Sequence, residues 1–189
     1  MKIAFLDHRD SFTYNLVALI ESALPNASVC IFSPDAKLED INFFSPACIV
    51  IGPGPGSPQD YPLIPSVLKY FSHLPVLGIC LGMQAINEYF EGRTIRSKVP
   101  THGKIHFVKH NHSSVFAGIP VEFRCMRYHS LQIEPSSNVE VIAFVESVPM
   151  ALKVKNKAIY GLQFHPESFG SEHGERLIKN ILGGANDVS

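Results

Sequence analysis

Cys80 sits between two glycines in the run Gly78-Ile79-Cys80-Leu81-Gly82. The apolar stretch Pro75-Val76-Leu77 precedes it and a helical pattern from Met83 to Phe90 follows. A strand that turns sharply into a helix at such a residue lifts the side chain at its apex clear of the packed layers. This is the cysteine form of a nucleophile elbow. Glycines on either side allow the backbone to crowd there. The N-terminus of the following helix favours thiolate over thiol, and its free N–H groups suit a developing oxyanion. The same five residues also describe a buried structural cysteine with two packing glycines.

Two further segments carry chemistry. One is Tyr160-Gly161-Leu162-Gln163-Phe164-His165-Pro166-Glu167-Ser168, where Ala158 to Phe164 reads as a strand and the next residues bear on chemistry if the chain stays extended through Glu167. His165 and Glu167, two apart, then point to one side, as a base and its orienter would. Pro166 cannot donate to a sheet ladder, so the segment belongs at a strand end or rim. Taken alone, the segment reads as a solvated pair at a strand terminus. Cys48-Ile49-Val50-Ile51 empties into Gly52-Pro53-Gly54-Pro55-Gly56-Ser57-Pro58. Such a loop is stiff, and its glycines let backbone N–H groups approach a ligand closely. It also fits an ordinary turn. No Lys-Ser/Thr follows, so it does not read as a nucleotide phosphate loop.

The elements that must position these residues alternate in the first half. Strands are expected over Lys2–Asp7, Ser28–Phe32, Ala47–Ile51 and Pro75–Ile79. Helices are expected over Ser11–Leu24, Tyr61–Ser72 and Leu81–Phe90, with a short one near Leu38–Phe43. Asp10 is placed to cap the first helix, and Pro25-Asn26 to end it. This alternation predicts right-handed βαβ units and a parallel sheet covered on both faces. Ligands in such sheets bind beyond the carboxyl ends of the strands, where the Gly54–Gly56 loop and Cys80 fall. The second half changes to strands at Ile105–His110, Val121–Tyr128, Val139–Val145, Met150–Val154 and Ala158–Phe164, which reads as antiparallel or mixed sheet. A last helix is expected over Gly174–Leu182. The fold class is therefore α/β, a largely parallel open sheet with an antiparallel β extension, in a single domain over 1–189.

Composition narrows the function. Of 189 residues, 46% are hydrophobic and 17% charged, enough apolar material for a full core. The net charge of −1, with no block of like charges, points away from nucleic acid and anionic membranes. No apolar run approaches the ~20 residues of a membrane span. Met1–Asp7 reads as a first core strand and not as a signal peptide, so the expected compartment is cytoplasmic. Of the four cysteines, Cys30, Cys48 and Cys125 lie in apolar strand-like runs without C-x-x-C spacing, as buried free thiols do. His102, His106, His110 and His112 fall on or beside a strand pattern, where residues four apart do not converge as on a helix. No metal site and no cofactor are expected.

Six motifs in order give the chain a resemblance to the class I (triad-type) glutamine amidotransferases. They are Asp10-Ser11-Phe12-Thr13-Tyr14-Asn15-Leu16, Gly54-Pro55-Gly56, Gly78-Ile79-Cys80-Leu81-Gly82-Met83-Gln84, His102-Gly103-Lys104, Arg127-Tyr128-His129-Ser130-Leu131 and Gln163-Phe164-His165-Pro166-Glu167-Ser168. Within that family the chain is similar to the small subunits of anthranilate synthase and aminodeoxychorismate synthase, from about residue 3 to residue 183. Gly78 to Gln84 alone also resembles the glutaminase subunit of imidazole-glycerol-phosphate synthase. The early segment, Arg127–Leu131 and Glu172-His173-Gly174 argue against that branch. His8-Arg9 and Met83 depart from the pattern, and neither touches the triad positions.

The resemblance implies a flavodoxin-like fold, no cofactor, and hydrolysis of L-glutamine through a Cys80–His165–Glu167 triad. The Leu81 N–H and the Gly54–Gly56 loop would meet the oxyanion. Gln84, Ser130 and Leu131 match the family's glutamine contacts. With no ATP signature and no acceptor domain in the chain, the resemblance implies a separate chorismate-using synthase subunit that receives the ammonia. The product would serve tryptophan synthesis, folate synthesis or both. A catalytically silent scaffold subunit is the contrasting alternative.

Overall fold

The computed structural model describes residues 1–183, apart from the side chains of residues 98 and 99; the last six residues of the expected 1–189 domain lie outside the described residues. The chain opens with β1 (Lys2–Leu6), α1 (Thr13–Ala23), β2 (Ser28–Phe32), α2 (Leu38–Phe44), β3 (Cys48–Ile51), α3 (Leu63–Phe71), β4 (Val76–Ile79) and α4 (Leu81–Tyr89). It continues with β5 (Arg93–His110), β6 (Glu122–Glu134), β7 (Val139–Val145), β8 (Val148–Val154), β9 (Ile159–Leu162) and α5 (Gly174–Leu182).

Among the described residues, nine strands form one mixed sheet in the order β2-β1-β3-β4-β9-β8-β7-β5-β6. β2, β1, β3, β4 and β9 pair in parallel; β8, β7, β5 and β6 continue the sheet antiparallel. The parallel half is the doubly wound, flavodoxin-like arrangement, with β9 in the fifth place.

Burial on two faces explains the unbroken apolar strands. Ile3 and Phe5 of β1, and Cys48 and Val50 of β3, join one core with Leu16 and Ile20 of α1 and Leu177 and Ile181 of α5. Their neighbours Ala4, Leu6, Ile49 and Ile51 join another core with Ile41 of α2, Ile64 and Leu68 of α3, and Ile86 of α4. Alternate side chains thus serve opposite layers, which requires apolar residues at every position.

The expected first-half elements are present with ends shifted by one or two residues. Asp10 does not cap α1 directly: its Oδ1 accepts from the Phe12 N–H at 2.8 Å, one turn ahead of the helix. β5 is far longer than the expected Ile105–His110, and β6 runs on to Glu134. Their outer ends pair from Arg93↔Glu134 to Arg96↔Leu131. Pro100 and Gly103 break the alternation that would have announced this strand. Both fall at its register shifts, between Arg96 and Thr101 and between His102 and Lys104, where a sheet tolerates such residues. Cys30 is half-buried rather than buried, because β2 is a sheet edge.

Candidate active site

The C-terminal ends of β1, β3, β4 and β9 lie side by side and carry most of the residues singled out above. β4 pairs with β9 up to Ile79↔Leu162, so Cys80 and Gln163 leave the sheet as neighbours. The Cys80 N–H donates to the Leu162 carbonyl at 2.7 Å, and the Cys80 carbonyl accepts from the Gln84 N–H at 3.2 Å. Between these two bonds Cys80 is held at φ 51°, ψ −99°, a conformation costly for a residue with a Cβ, on the order of 1–3 kcal/mol. The flanking glycines make the turn possible. A Cβ on Gly78 would overlap the Gly82 backbone, and one on Gly82 would overlap the Ile51 carbonyl. α4 starts at Leu81 directly beyond the sulfur, and N–H groups of a first turn have no acceptor within their helix.

His165 arrives by a different route from the expected one. β9 ends at Leu162, and the chain does not stay extended to Glu167. His165 makes a single antiparallel bridge to Met126 of β6, its N–H donating to the Met126 carbonyl at 3.2 Å. The Ser171 hydroxyl donates to the His165 carbonyl at 2.6 Å and accepts from the Met126 N–H at 2.9 Å. A turn closed by Ser168 N–H on the His165 carbonyl, 3.2 Å, then folds Glu167 back. The two side chains still meet: His165 Nδ1–H donates to Glu167 Oε1 at 2.6 Å, with the carboxylate fully buried.

The imidazole packs in a cluster of three rings, with Phe12 at 5.2 Å and Tyr128, edge-on, at 5.3 Å between ring centroids, and these two 5.1 Å from each other. With Nδ1 committed to Glu167, Nε2 is the nitrogen left for Cys80. Burial alone would pull the histidine toward the neutral form. Hydrogen bonds and charge from Cys80 and Glu167 outweigh it and raise the pKa from 6.5 to about 10. Cys80, 8% exposed, is the accessible apex of this cluster.

The other expected site residues divide. Gly54 lies against the elbow: a Cβ there would strike the His8 Cβ and the Leu81 Cδ2. Gly56, at φ 74°, instead faces Asp60, whose carboxylate accepts from the Ser57 N–H at 2.8 Å. His8 Nδ1–H donates to the Gly52 carbonyl at 3.2 Å and supports the loop from β1. Gln84 is buried, and its Nε2–H donates to Gln163 Oε1 at 3.3 Å.

Ser130 and Leu131 lie on β6, beyond the expected strand end at Tyr128. Ser130 lines a hollow of about 220 Å³ with Thr101, His102, Tyr128 and His129. Tyr128 connects that hollow to His165. The Leu131 carbonyl accepts from His129 Nδ1–H at 2.8 Å, and His129 Nε2 accepts from the buried Arg127 Nε–H at 3.0 Å.

Gln163, Phe12 and Tyr128 were given no role on the sequence. Their positions beside residues 80 and 165 depend on pairings that no local pattern encodes. Of His102, His106, His110 and His112, two pack on aromatic rings of the protein. His110 donates from Nε2 to the Pro120 carbonyl at 3.0 Å and stacks on Phe116, and His102 packs on Tyr128. All four cysteines are free. Burial pushes the Cys48 thiol pKa up to about 11 and raises that of Cys125 further. Among the described residues no helix is long and apolar enough to cross a membrane.

The chain is 38% identical over 191 residues to anthranilate synthase component 2 of Methanothermobacter marburgensis, covering 95% of this chain and 97% of that one. It is 37% identical over 186 residues to aminodeoxychorismate synthase component 2 of Escherichia coli, covering 95% and 98%. It matches the bifunctional protein TrpGD of Thermotoga maritima at 37% identity but spans only 32% of that protein's length. A Thermoplasma acidophilum protein, provisionally assigned to GMP synthase, shares the fold, with a TM-score of 0.86 at 23% identity over 99% of this chain and 94% of that one. Residues 4–184 match the model of the class-I glutamine amidotransferases, and the chain belongs to that enzyme family.

Proposed function

We propose that residues 1–189 act as one glutamine amidotransferase domain that hydrolyses L-glutamine to glutamate and ammonia through Cys80, His165 and Glu167. The observation that carries this reading is the meeting of a strand-to-helix cysteine with a buried histidine–carboxylate pair at the carboxyl ends of β4 and β9.

Cys80 Sγ attacks the carboxamide carbon after its proton passes to His165 Nε2. The oxyanion meets the Leu81 N–H and the Gly54–Gly56 loop, each donor of this kind being worth about 3 kcal/mol. The carbon–nitrogen bond then breaks. His165 gives its proton to the departing nitrogen, which leaves as ammonia. Water attacks the resulting thioester, again with His165 as base, and releases glutamate and the thiol. Glu167 holds the imidazole tautomer and stabilises its cation. Gln84 on α4, and Ser130 and Leu131 on β6, contact the substrate. The chemistry calls on no cofactor.

The ammonia passes to a chorismate-using synthase subunit, as the component 2 names of the relatives suggest. Docking of that subunit sets the Gly52–Pro58 loop in its working geometry. The test uses the assembled complex. Cys80→Ser abolishes glutamine-dependent amination of chorismate, while excess ammonium salt at mildly alkaline pH still supports it. The serine hydroxyl is hardly ionised, and free ammonia reaches the partner from solvent. Loss of both reactions in an intact complex overturns the division of labour. Retained glutamine-dependent activity overturns Cys80 as nucleophile.

A further inference from the structure

Gln163 belongs to neither the triad nor the oxyanion loop, yet its side chain touches the reacting atom. It follows β9 directly and is fully buried. Its N–H donates to the Met150 carbonyl at 2.9 Å, which fixes its backbone to β8. Its Nε2–H donates to Cys80 Sγ at 3.5 Å. Its Oε1 accepts from Gln84 Nε2–H at 3.3 Å. With the Gln84 donor against Oε1, the amino end of Gln163 is turned to Cys80.

We propose that Gln163 is a further catalytic residue of this site: its amide N–H stabilises the Cys80 thiolate, and Gln84 holds the amide in the orientation that does so. The proposal rests on the reading of Cys80 as the nucleophile.

A neutral thiol is a weak acceptor and a thiolate a strong one, so a donor fixed against the sulfur favours the charged form. The contact is buried, where a hydrogen bond counts for more than in solvent. The proton that leaves Cys80 goes to His165. Gln163 itself never changes charge, so its contribution adds to that of the histidine and does not compete with it. Gln84 lies four residues after Cys80 on α4. One helix therefore presents the nucleophile at its start and the group that orients the nucleophile's donor one turn on. The titratable groups that bear on the sulfur are His165 and, through it, Glu167, with His129 on the β6 side of His165.

The experiment is alkylation of the full chain by iodoacetamide, followed at Cys80 by peptide mapping as a function of pH. Gln163→Met, similar in size but without a donor, moves the Cys80 profile up by about one pH unit. On the rising limb of the profile the rate at a given pH falls about tenfold. The alkaline plateau is unchanged, because the sulfur is ionised there in both proteins. Gln84→Met moves the profile the same way by less. Gln163→Glu moves it further, since a carboxylate repels the thiolate. A residue that only filled space would lower the plateau without displacing the profile.

An undisplaced profile in a Gln163→Met protein that melts like the wild type overturns the assignment. If that variant does not fold, an undisplaced profile in Gln163→Glu or Gln84→Met does so. Wild-type Cys80 that alkylates no faster than Cys30 overturns both this proposal and the nucleophile reading. A reactive wild-type Cys80 with undisplaced variants overturns only the role of Gln163.

Discussion

Glu167 reaches His165 through a turn and not along a strand, and its Oε1 accepts from the imidazole Nδ1–H at 2.6 Å with both side chains buried. The turn closes on the His165 carbonyl, which also accepts from the Ser171 hydroxyl. The carboxylate therefore addresses a ring whose backbone is already tied to β6. In the proposed reaction, orientation of the imidazole and the charge beside it come from one side chain, while the proton moves on another.

The two residues therefore differ in what their loss does. His165→Asn removes the proton carrier and lowers glutamine hydrolysis about 100-fold more than Glu167→Gln, as in a triad where the carboxylate only orients and stabilises. Steady-state turnover of the two folded variants checks this, and equal losses reverse the assignment of roles.

A pH dependence follows from the same pair. Cys80 and Glu167 raise the His165 pKa in the folded chain from 6.5 to about 10. A group raised on folding stabilises the native state fully below its unfolded value and loses that contribution as pH rises through its folded value. Here the window runs from about 6.5 to about 10. Glu167→Gln removes one of the raising influences, so both the alkaline limb of the turnover profile and the alkaline loss of stability move to lower pH. pH-resolved turnover and urea titrations measure the two shifts. Profiles that coincide with the wild type exclude Glu167 as a stabiliser of the imidazolium.

Of the four cysteines only Cys80 stands at a strand-to-helix turn. Cys48 and Cys125 are buried, with thiols pushed away from ionisation, and Cys30 lies on the edge strand β2. Diazo-oxo-norleucine labels Cys80 alone, as read by peptide mapping. A label on any of the other three moves the site elsewhere.

The elbow depends on Gly82 having no side chain. A Cβ there would overlap the Ile51 carbonyl at the end of β3, and backbone cannot step aside as a flexible side chain can. Gly82→Ala destabilises the protein by about 2 kcal/mol, the scale of forced overpacking. It also reduces Cys80 labelling, because α4 must move away from β3. Urea unfolding and labelling rates measure the two effects. A variant with native stability contradicts the close approach of α4 and β3.

Much of this arrangement was legible in local sequence. Two-faced burial requires continuous apolar strands, so Lys2–Leu6, Cys48–Ile51 and Val76–Ile79 announced a covered parallel sheet. Cys80 between two glycines announced a turn that only small neighbours permit. Nearest-neighbour chemistry sets these features, and the residues that decide them lie within a few positions of one another.

Other features needed the folded chain. Pro100 and Gly103 hid the outer half of β5, because a strand carried across register shifts is recognised only by its partner β6. His165 and Glu167 were expected on one extended face, yet Pro166 lies in a turn, and the pair meets because β6 and Ser171 hold the histidine backbone in place. Gln163 was quoted only as part of a motif. What sets it beside Cys80 is the β4–β9 register, Ile79 against Leu162, between segments some eighty residues apart. Strand pairing of that kind is fixed by the packing of whole layers and leaves no mark on the local pattern at either end. Sequence alone therefore singled out a candidate nucleophile and its candidate partners; the tertiary structure decided which atoms of those partners face the sulfur.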